Sequence, residues 1–513
     1  MRLIEKTIGL THARMGYISL QEAVFLRLSD IMKSCGYEVV QGGDVDIANI
    51  TIDSRTVKDK SLFFCIRGLR NDGHTFINAA GERGAAAIIV DSPADAYPEN
   101  ITALRVRDSR EALSYAAAEF FGRPADGLSI SGVTGTNGKT SVTYFLEAIF
   151  NAWGHKNGLI GTVETRACGE AIDVPFATST TPDAIELQLI LKRMRDKNVS
   201  HVAMEVTSHA LSLRKTDGIR FKTGIFTNLT QDHLDFHGNM RNYMEVKARL
   251  FKNSDFSIIN ADDPSGAFMI KSAAGETLTY GINEQCELRA RNVSLNAAGV
   301  EFDAIIGGAS EKFYCPIPGK FTVYNALAAI GAAAALNAPL AAIKTGLKEM
   351  KGVPGRIERV PNHAGINIIV DYAHTPDGVE NILTAVREFT PGRLISVFGC
   401  GGDRDRKKRP LMGGIAGKLS DYCFITSDNP RSENPKSILD EIETGILPTD
   451  CAYEKIADRR EAIFTAVTAA RPGDSVVIAG KGHENYQIFA DKTIHFDDRE
   501  IAAEALKNRV RGI

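Results

Sequence analysis

No stretch of this 513-residue chain reaches the ~18 consecutive apolar residues of a membrane span. The opening residues, MRLIEKTIGLTHARMGYISLQEAVF, lack an uninterrupted apolar core followed by a cleavage site. Neither a membrane span nor a secretory leader is therefore expected, and the expected location is cytoplasmic. Cysteine pairing is missing too. The eight cysteines (Cys35, Cys65, Cys168, Cys286, Cys315, Cys400, Cys423, Cys451) include no C-x-x-C, which argues for reduced core residues over a disulfide frame or a zinc site. Charge of one sign is missing as well: 60 Lys and Arg against 63 Asp and Glu leave −3, so nothing marks nucleic acid as a main partner. What is present is an ordinary soluble composition, 44% hydrophobic and 24% charged. The length suits roughly three domains, each burying its own core.

One stretch organises the rest. In LSISGVTGTNGKTSVTYFLEAIFNAW, residues 128–153, an apolar run reads as a buried strand and ends in the turn Gly135-Thr136-Asn137-Gly138. Lys139, Thr140 and Ser141 follow, and then Val142, Phe145, Leu146, Ile149, Phe150 and Trp153 recur at the spacing of one buried helical face. The glycines let backbone N–H groups face phosphate oxygens, and the helix N-terminus adds a positive field. Lys139 is placed to reach the β- and γ-phosphates of a nucleoside triphosphate, and the Thr140 hydroxyl to hold Mg²⁺. The longer G-x-x-x-x-G-K-T form is not met, since Val133 stands at its first glycine. This is a phosphate-binding loop.

Around it the pattern is α/β. Residues 26 to about 125 contain ITIDSRTV, SLFFCIRG and AAAIIV, a compact unit closed by the turn Phe121-Gly122-Arg123-Pro124. Its Asp53-Ser54-Arg55 and Gly68–Gly73 stretches read from spacing alone as surface hairpins. The middle alternates strands and helices as a mostly parallel sheet does. Thr181 is expected to cap a helix with Pro182 at its first position. The strands HVAMEV and TGIFTNL deliver Glu205 and the run Thr230–Gly238, with His233, at their carboxyl ends, where open α/β sheets gather ligands. Glu205 and His233 suit a divalent ion. Each alone would be a capped or paired structural residue, and Lys247, on a helix, would by itself be a solvated charge. Residues 351–356 read as a second linker. The last third returns to α/β: four apolar strands end in AHTPD, GCGGDRDRKKRP, DNPR and GKGHE. Gly399-Cys400-Gly401-Gly402 is a weak dinucleotide signal because DRDRKKR follows it in place of a helix start. The cluster of Arg409, Arg431, Lys481, His483 and Glu484 at these ends suits a small zwitterionic or anionic substrate, although the charge run 403–409 could equally be a solvated loop. The domains are thus expected at 1–125, 126–355 (central, P-loop) and 356–513 (Rossmann-like).

Together GVTGTNGKTSV, MEVTSHAL, TNLTQDHLDFHG, GKFTVYNALAA, VPGRIE, VDYAHTPD, GCGGDRDRKKRP, SDNPRSENP and AGKGHENYQ resemble the ATP-dependent Mur ligases of peptidoglycan synthesis, in the same order from about residue 25 onward. The resemblance is nearest to members that join meso-diaminopimelate to UDP-MurNAc-L-Ala-D-Glu. It implies three domains, for the UDP-sugar, ATP and incoming amino acid, a monomer, and a reaction through an acyl phosphate. It also assigns residues. Ile52, Ser54 and Leu69, Arg70 and Asn71 would contact the UDP part, reversing the hairpin reading. Gly135, Thr136, Asn137, Gly138, Lys139, Thr140 and Ser141 would bind ATP, with Asn325, Arg356 and Asp371 beside its base and ribose. Ser179, Thr180, Thr181, Thr207 and Lys215 would meet the muramoyl dipeptide. Lys247 would be carbamylated and hold a second Mg²⁺ with His233. Arg409, Asp428, Asn429, Pro430, Arg431, Gly480 and Glu484 would bind diaminopimelate. Three positions depart from the family pattern: Ser179 replaces asparagine, Thr207 serine and Lys215 arginine, and lysine cannot reproduce a bidentate guanidinium contact. Relatives that add L-lysine, a dipeptide, or glutamate to folate lack either the DNPR arginine or the UDP motifs. A non-catalytic scaffold would not need Lys139, Thr140, Glu205, His233 and Lys247 together, and a P-loop kinase would leave phosphate on its product.

Overall fold

A computed structural model describes residues 25–511, with 69–70, 95, 175–179, 284 and 297 outside the description. The expectations for residues 1–22, Leu69, Arg70 and Ser179 fall outside the described residues. Three sheets follow one another along the chain. The first has five strands: β1 (Tyr37–Gln41), β2 (Asn49–Thr51), β3 (Ser61–Phe64), β4 (Ala85–Val90) and β5 (Thr102–Val106), in the order β1-β5-β4-β3-β2. Only β1 runs antiparallel to its neighbour. Ile52 to Ser54 leaves the carboxyl end of β2, and the segment leading to Asn71 leaves that of β3. Helix α1 (Ser109–Phe120) closes this unit, capped by Asp108, whose carboxylate accepts from the N–H groups of Arg110 and Glu111.

The second sheet has eleven strands. They are β6 (Ser129–Thr134), β7 (Asn157–Ile160), β8 (Thr165–Ala167), β9 (Glu170–Ala171), β10 (His201–Glu205), β11 (Phe221–Phe226), β12 (Ser254–Asn260), β13 (Glu276–Gly281), β14 (Leu288–Asn296), β15 (Gly299–Ile306) and β16 (Ala309–Cys315). The order is β9-β8-β7-β10-β6-β11-β12-β13-β14-β15-β16. From β7 to β14 every pair is parallel, and the two ends are antiparallel extensions. β6 lies between β10 and β11, covered on both faces, which is why it reads as an apolar run without alternation. Helix α2 (Lys139–Ala152) buries Val142, Phe145, Leu146, Ile149 and Phe150 as the periodicity predicts, with Trp153 packed at the rim. Helix α3 (Ala184–Asp196) starts two residues later than predicted: Asp183 holds the N-cap position and Thr181 turns elsewhere. Helix α4 (Met240–Lys252) carries Lys247 on its buried face. The alanines and Gly331 of α5 (Lys320–Ala335) let it lie directly on β12, β13 and β14, where a Cβ at 331 would press on Ile258, Leu278 and Leu288.

After α6 (Leu340–Lys348) comes the third sheet: β17 (Glu358–Arg359), β18 (Asn367–Asp371), β19 (Leu394–Phe398), β20 (Tyr422–Ile425), β21 (Ala452–Lys455) and β22 (Ser475–Ala479), ordered β17-β18-β22-β19-β20-β21. All but β17 are parallel. Helices α7 (Pro376–Arg387), α8 (Lys408–Leu419), α9 (Pro435–Ile446), α10 (Arg459–Ala469) and α11 (Asp498–Arg511) cover its faces. Among the described residues no helix is long and apolar enough to cross a membrane.

Candidate active site

The second and third sheets turn their carboxyl ends toward one cavity of about 1110 Å³. On one side β6, β10 and β11, adjacent strands, deliver the phosphate loop, Glu205 and Thr227-Asn228. The loop is held from β11: Thr136 N–H donates to the Asn228 carbonyl (3.0 Å), Asn137 N–H to Asn228 Oδ1 (2.9 Å), and Thr227 Oγ1 to the Asn137 carbonyl (2.6 Å). Gly135 and Gly138 both have positive φ, and a Cβ at either would strike Thr227 Oγ1 or Asn325 Oδ1 respectively, so these two glycines are required. The N–H groups of Lys139, Thr140 and Ser141, in the first turn of α2, have no intrahelical acceptor and form the anion-binding end of the loop. Lys139 folds back, its Nζ donating to the Gly135 and Thr136 carbonyls at 2.9 Å each. Burial lowers its pKa, opposed by Glu205 and Asp232.

Glu205 is buried, and its carboxylate accepts from Thr162 N–H (2.9 Å) and Thr162 Oγ1 (3.0 Å). His233 stands at the cavity rim with its side chain 46% exposed, its Nε2 3.3 Å from Asp232 and its ring edge-on to His209. Burial of its ring among Lys139, Lys247 and His209 lowers its pKa against the pull of Asp232. Lys247, just behind, is 1% exposed. Among the described residues its ammonium forms no ion pair; it lies over the face of Tyr243 at 4.6 Å, with Asp232 attracting it from further off. Burial, then the Lys139 charge, push its pKa well below the ordinary lysine value. The solvated-charge reading of Lys247 does not describe this side chain. Among the described residues no three His, Cys, Asp or Glu side chains converge as a ready metal nest. The Thr140 hydroxyl and Glu205 nevertheless fit Mg²⁺, which binds through one or two carboxylates and completes its shell with phosphate oxygens and water.

Asn325, Arg356 and Asp371 line the same cavity. Arg356 Nη2 donates to Thr140 Oγ1 (3.3 Å) and its guanidinium lies over Tyr372 at 4.6 Å. Asp371 accepts from the N–H groups of Ile357 and Ala373, both at 2.8 Å, so its carboxylate fixes the linker; burial raises its pKa. Thr181 donates to the Glu205 carbonyl (3.0 Å), and Thr207 caps the next turn through Ala210 N–H (3.1 Å). Lys215 is paired with Asp183 at 2.6 Å, at the seam where Ser114 of α1 donates to the Lys215 carbonyl (3.3 Å). Thr180 and Thr207 line the cavity, while Ile52, Ser54 and Asn71 sit apart on the first sheet.

On the other side, Asp428, Asn429 and Arg431 follow β20, and Gly480, His483 and Glu484 follow β22. Asn429 ties the two: Oδ1 accepts from Ile488 N–H (3.0 Å) and Lys481 Nζ (3.1 Å), and Nδ2 donates to Glu484 (2.9 Å). Arg431 has φ 51° and donates to the Gly402 carbonyl (2.8 Å), which leaves most of its guanidinium toward the cavity. Burial, then the nearby Arg404 charge, lower its pKa. Arg431, partly buried, and Arg404, exposed at the rim, both line the cavity, where they can receive an anion beside the acids Asp428 and Glu484.

Arg409 departs from expectation. It is the second residue of α8, fully buried, and its guanidinium is consumed by Glu433 (2.8 and 2.9 Å), Glu441 (2.8 Å) and the Gly401 carbonyl (3.3 Å). It does not reach the cavity. Arg404 does, from the same charge run, together with Asp405 and Lys408. The run was visible in the sequence, but which arginine faces in depends on where α8 begins. His483 lines the cavity, and Asp232, His374 and Asp377 are further lining residues to which the reading gave no role of their own. All three belong to quoted motifs, TNLTQDHLDFHG and VDYAHTPD, which was the available signal. The arrangement separates the two arginines experimentally. Arg409→Ala is expected to lower the melting temperature, because removing one partner of a buried pair costs roughly 2–4 kcal/mol when the acids are partly wet. Arg404→Ala is expected to melt normally and raise the KM of the added amino acid about tenfold or more, a lost charge-assisted contact. The reverse pattern would restore Arg409 to the cavity.

A phosphate loop facing a second α/β sheet across a shared cavity defines a nucleotide-using enzyme with a second substrate site. Three family descriptions then give the class: Mur ligase family, catalytic domain, over residues 46–121; Mur ligase middle domain over 133–333; and Mur ligase, glutamate ligase domain, over 355–482. The chain belongs to the Mur ligase family, and is an ATP-dependent ligase. Among its relatives, the UDP-N-acetylmuramoyl-L-alanyl-D-glutamate–2,6-diaminopimelate ligase of Clostridium botulinum is 46% identical over 486 residues, covering 94% of this chain and all of that one. The ligase of the same name from Geobacter metallireducens is 42% identical over 507 residues, 94% and 98% of the two chains. A solved structure of a ligase with this name superposes with a TM-score of 0.69 at 30% identity, covering 95% of this chain and all of that one. MurF ligase from Thermotoga maritima, solved with ADP, shares the fold (TM-score 0.60, 18% identity, 90% and 98% coverage).

Proposed function

We propose that this enzyme joins meso-diaminopimelate to the D-Glu side-chain carboxylate of UDP-MurNAc-L-Ala-D-Glu, using ATP and Mg²⁺, in peptidoglycan precursor synthesis. The observation that carries this reading is the pair Arg404 and Arg431, two cations across one cavity from the phosphate loop. The relatives' names agree with it. We take the three sheets as three domains divided near residues 125 and 355, all acting within one chain. Ile52, Ser54 and Asn71 hold the uridine end on the first sheet. The Thr180, Thr181, Thr207 and Lys215 region spans the seam from there to the loop, so it receives the dipeptide. Lys139 leaves its own loop carbonyls for the β- and γ-phosphates while the N–H groups of α2 cradle them. Asn325, Arg356 and Asp371 frame the nucleoside.

The substrate carboxylate attacks the γ-phosphorus and ADP leaves. The diaminopimelate amine then attacks the acyl carbon, loses a proton, and phosphate departs. Thr140 and Glu205 would hold Mg²⁺, which would offset the repulsion between carboxylate and phosphate. Lys247, whose site disfavours its charge, would as the neutral amine add CO₂ and release a proton, and the resulting carbamate with the His233 imidazole would hold a second Mg²⁺. The facing sheets keep water from the acyl phosphate. Asp428, Asn429, Gly480 and Glu484 hold the amino-acid end.

ADP release measured with the UDP-muramoyl dipeptide and a panel of amino acids tests the assignment. Diaminopimelate should be required, with phosphate recovered free; phosphate on the product would make the protein a kinase, and no release would make it a scaffold. Lys247→Ala is expected to lose most activity and to regain part of it in added acetate, which can replace the missing carboxylate. A Lys247→Ala protein as active as the unmodified one would remove Lys247 from the mechanism.

A further inference from the structure

Two thiols separated by 28 positions meet in the third sheet. Cys423, in β20, is buried, while Cys451, one residue before the edge strand β21, is partly exposed. Their sulfur atoms lie 3.6 Å apart. We propose that Cys423 and Cys451 form a reversible modification site, closed to a disulfide by low-molecular-weight disulfides and reopened by thiols. The strand register makes the meeting permanent: Tyr422 pairs with Ala452 and Cys423 with Tyr453, which sets Cys451 diagonally beside Cys423. A disulfide requires about 2.05 Å between sulfurs. The sulfurs must therefore approach, and the movement falls to β21, which is paired on one side only, while β20 is held from both.

The order of events follows from the hydrogen bonds. Ser420 Oγ donates to Ser396 Oγ (3.0 Å) and Ser396 Oγ to Cys423 Sγ (3.1 Å), while the Cys451 S–H has the Ala452 carbonyl at 3.3 Å, so the Cys423 S–H is the one free to turn toward Cys451. That donation holds the Cys451 thiol below its ordinary pKa and raises that of Cys423. Cys451 is thus both the accessible sulfur and the easier thiolate. Having released its proton to solvent, it attacks one sulfur of the disulfide reagent, and the displaced thiolate takes up a proton. Cys423 then attacks the Cys451 sulfur, expelling the second reagent thiolate, which leaves with the proton of Cys423. Two electrons pass from the cysteine pair to the reagent, and two reagent thiols result. The closed ring encloses Asp428 to Arg431, Glu433 and helix α9, so the cross-link secures the base of the whole segment that carries the DNPR turn.

The test uses the full chain equilibrated in glutathione buffers of stepped redox poise, and it is independent of the reaction assigned above. The oxidised protein is expected to lose about 2 Da, two hydrogens, with one peptide joining residues 423 and 451. Its melting temperature should rise by at least about 3 °C, since the link closes a long loop in the unfolded chain. Dithiothreitol should reverse both changes, and Cys451→Ser and Cys423→Ser should each abolish them. A glutathione adduct that stays on Cys451, or a cross-link between other cysteines, would overturn the proposal.

Discussion

Lys139→Ala is expected to fold normally and to release ADP at least about a hundredfold more slowly than the unmodified enzyme. The fold should survive because this side chain supports only its own loop. Its ammonium holds two carbonyls that face the cavity and can be taken over by water, while Asn228 and Thr227 fix the loop from β11. The chemistry should not survive, because the charge is aimed where negative charge accumulates during phosphoryl transfer. A thermal melt checks the first half and an ADP-release assay the second. Near-normal ADP formation by the folded variant would refute the phosphate-loop assignment.

The unmodified enzyme should prefer meso-diaminopimelate to L-lysine by ~30-fold to several thousandfold, the range set by roughly 2–5 kcal/mol for breaking a buried hydrogen-bonded charge pair. The two amino acids differ by one carboxylate at the far end of the side chain. Arg431 already lies in a cleft where burial and Arg404 press against its charge. A carboxylate relieves both cations through parallel hydrogen bonds. An ammonium arriving there adds a third positive charge and leaves the guanidinium desolvated and unmatched. Arg431→Ala should then damage diaminopimelate use severely and leave the slow lysine reaction unchanged or slightly improved. Comparing kcat/KM for both amino acids with both proteins decides it: equal use of lysine and diaminopimelate by the unmodified enzyme sinks the idea.

The sequence reading succeeded where chemistry is local. The glycine turn and the buried face of α2 repeat a strand–turn–helix logic that needs no distant partner, and they appear as read. It succeeded less where a side chain is defined by elements far away. Thr181 looked like a cap, yet it bonds to the end of β10, and Asp183, which took the cap position, is paired with Lys215. Lys247 looked like surface charge because a helix shows its buried face only through its neighbours, and here those are Tyr243 and the loop. Arg409 and Arg404 are five residues apart in one charged run, and only Glu433, in the loop after β20, and Glu441, in α9, settle which turns inward. The contact of Cys423 with Cys451 depends on strand register, which no spacing rule reveals.

Side-chain bonds cross between the two halves of the site: Arg356 reaches Thr140 beside the linker, and two donors meet on Asp377. Asn137, within the phosphate loop, donates through its side chain to Asp377 at the start of α7, and Thr230 reaches the same carboxylate at 3.4 Å. A loop that grips phosphate with its backbone while its side chain grips the opposite lobe cannot do either independently. Whatever free energy a nucleotide gains from the lobe's being docked, the lobe regains as tighter docking when the nucleotide is present, by the reciprocity that binds any two coupled equilibria. Asn137 and Thr230, sharing Asp377, are thus the atoms through which nucleotide binding and lobe docking are coupled.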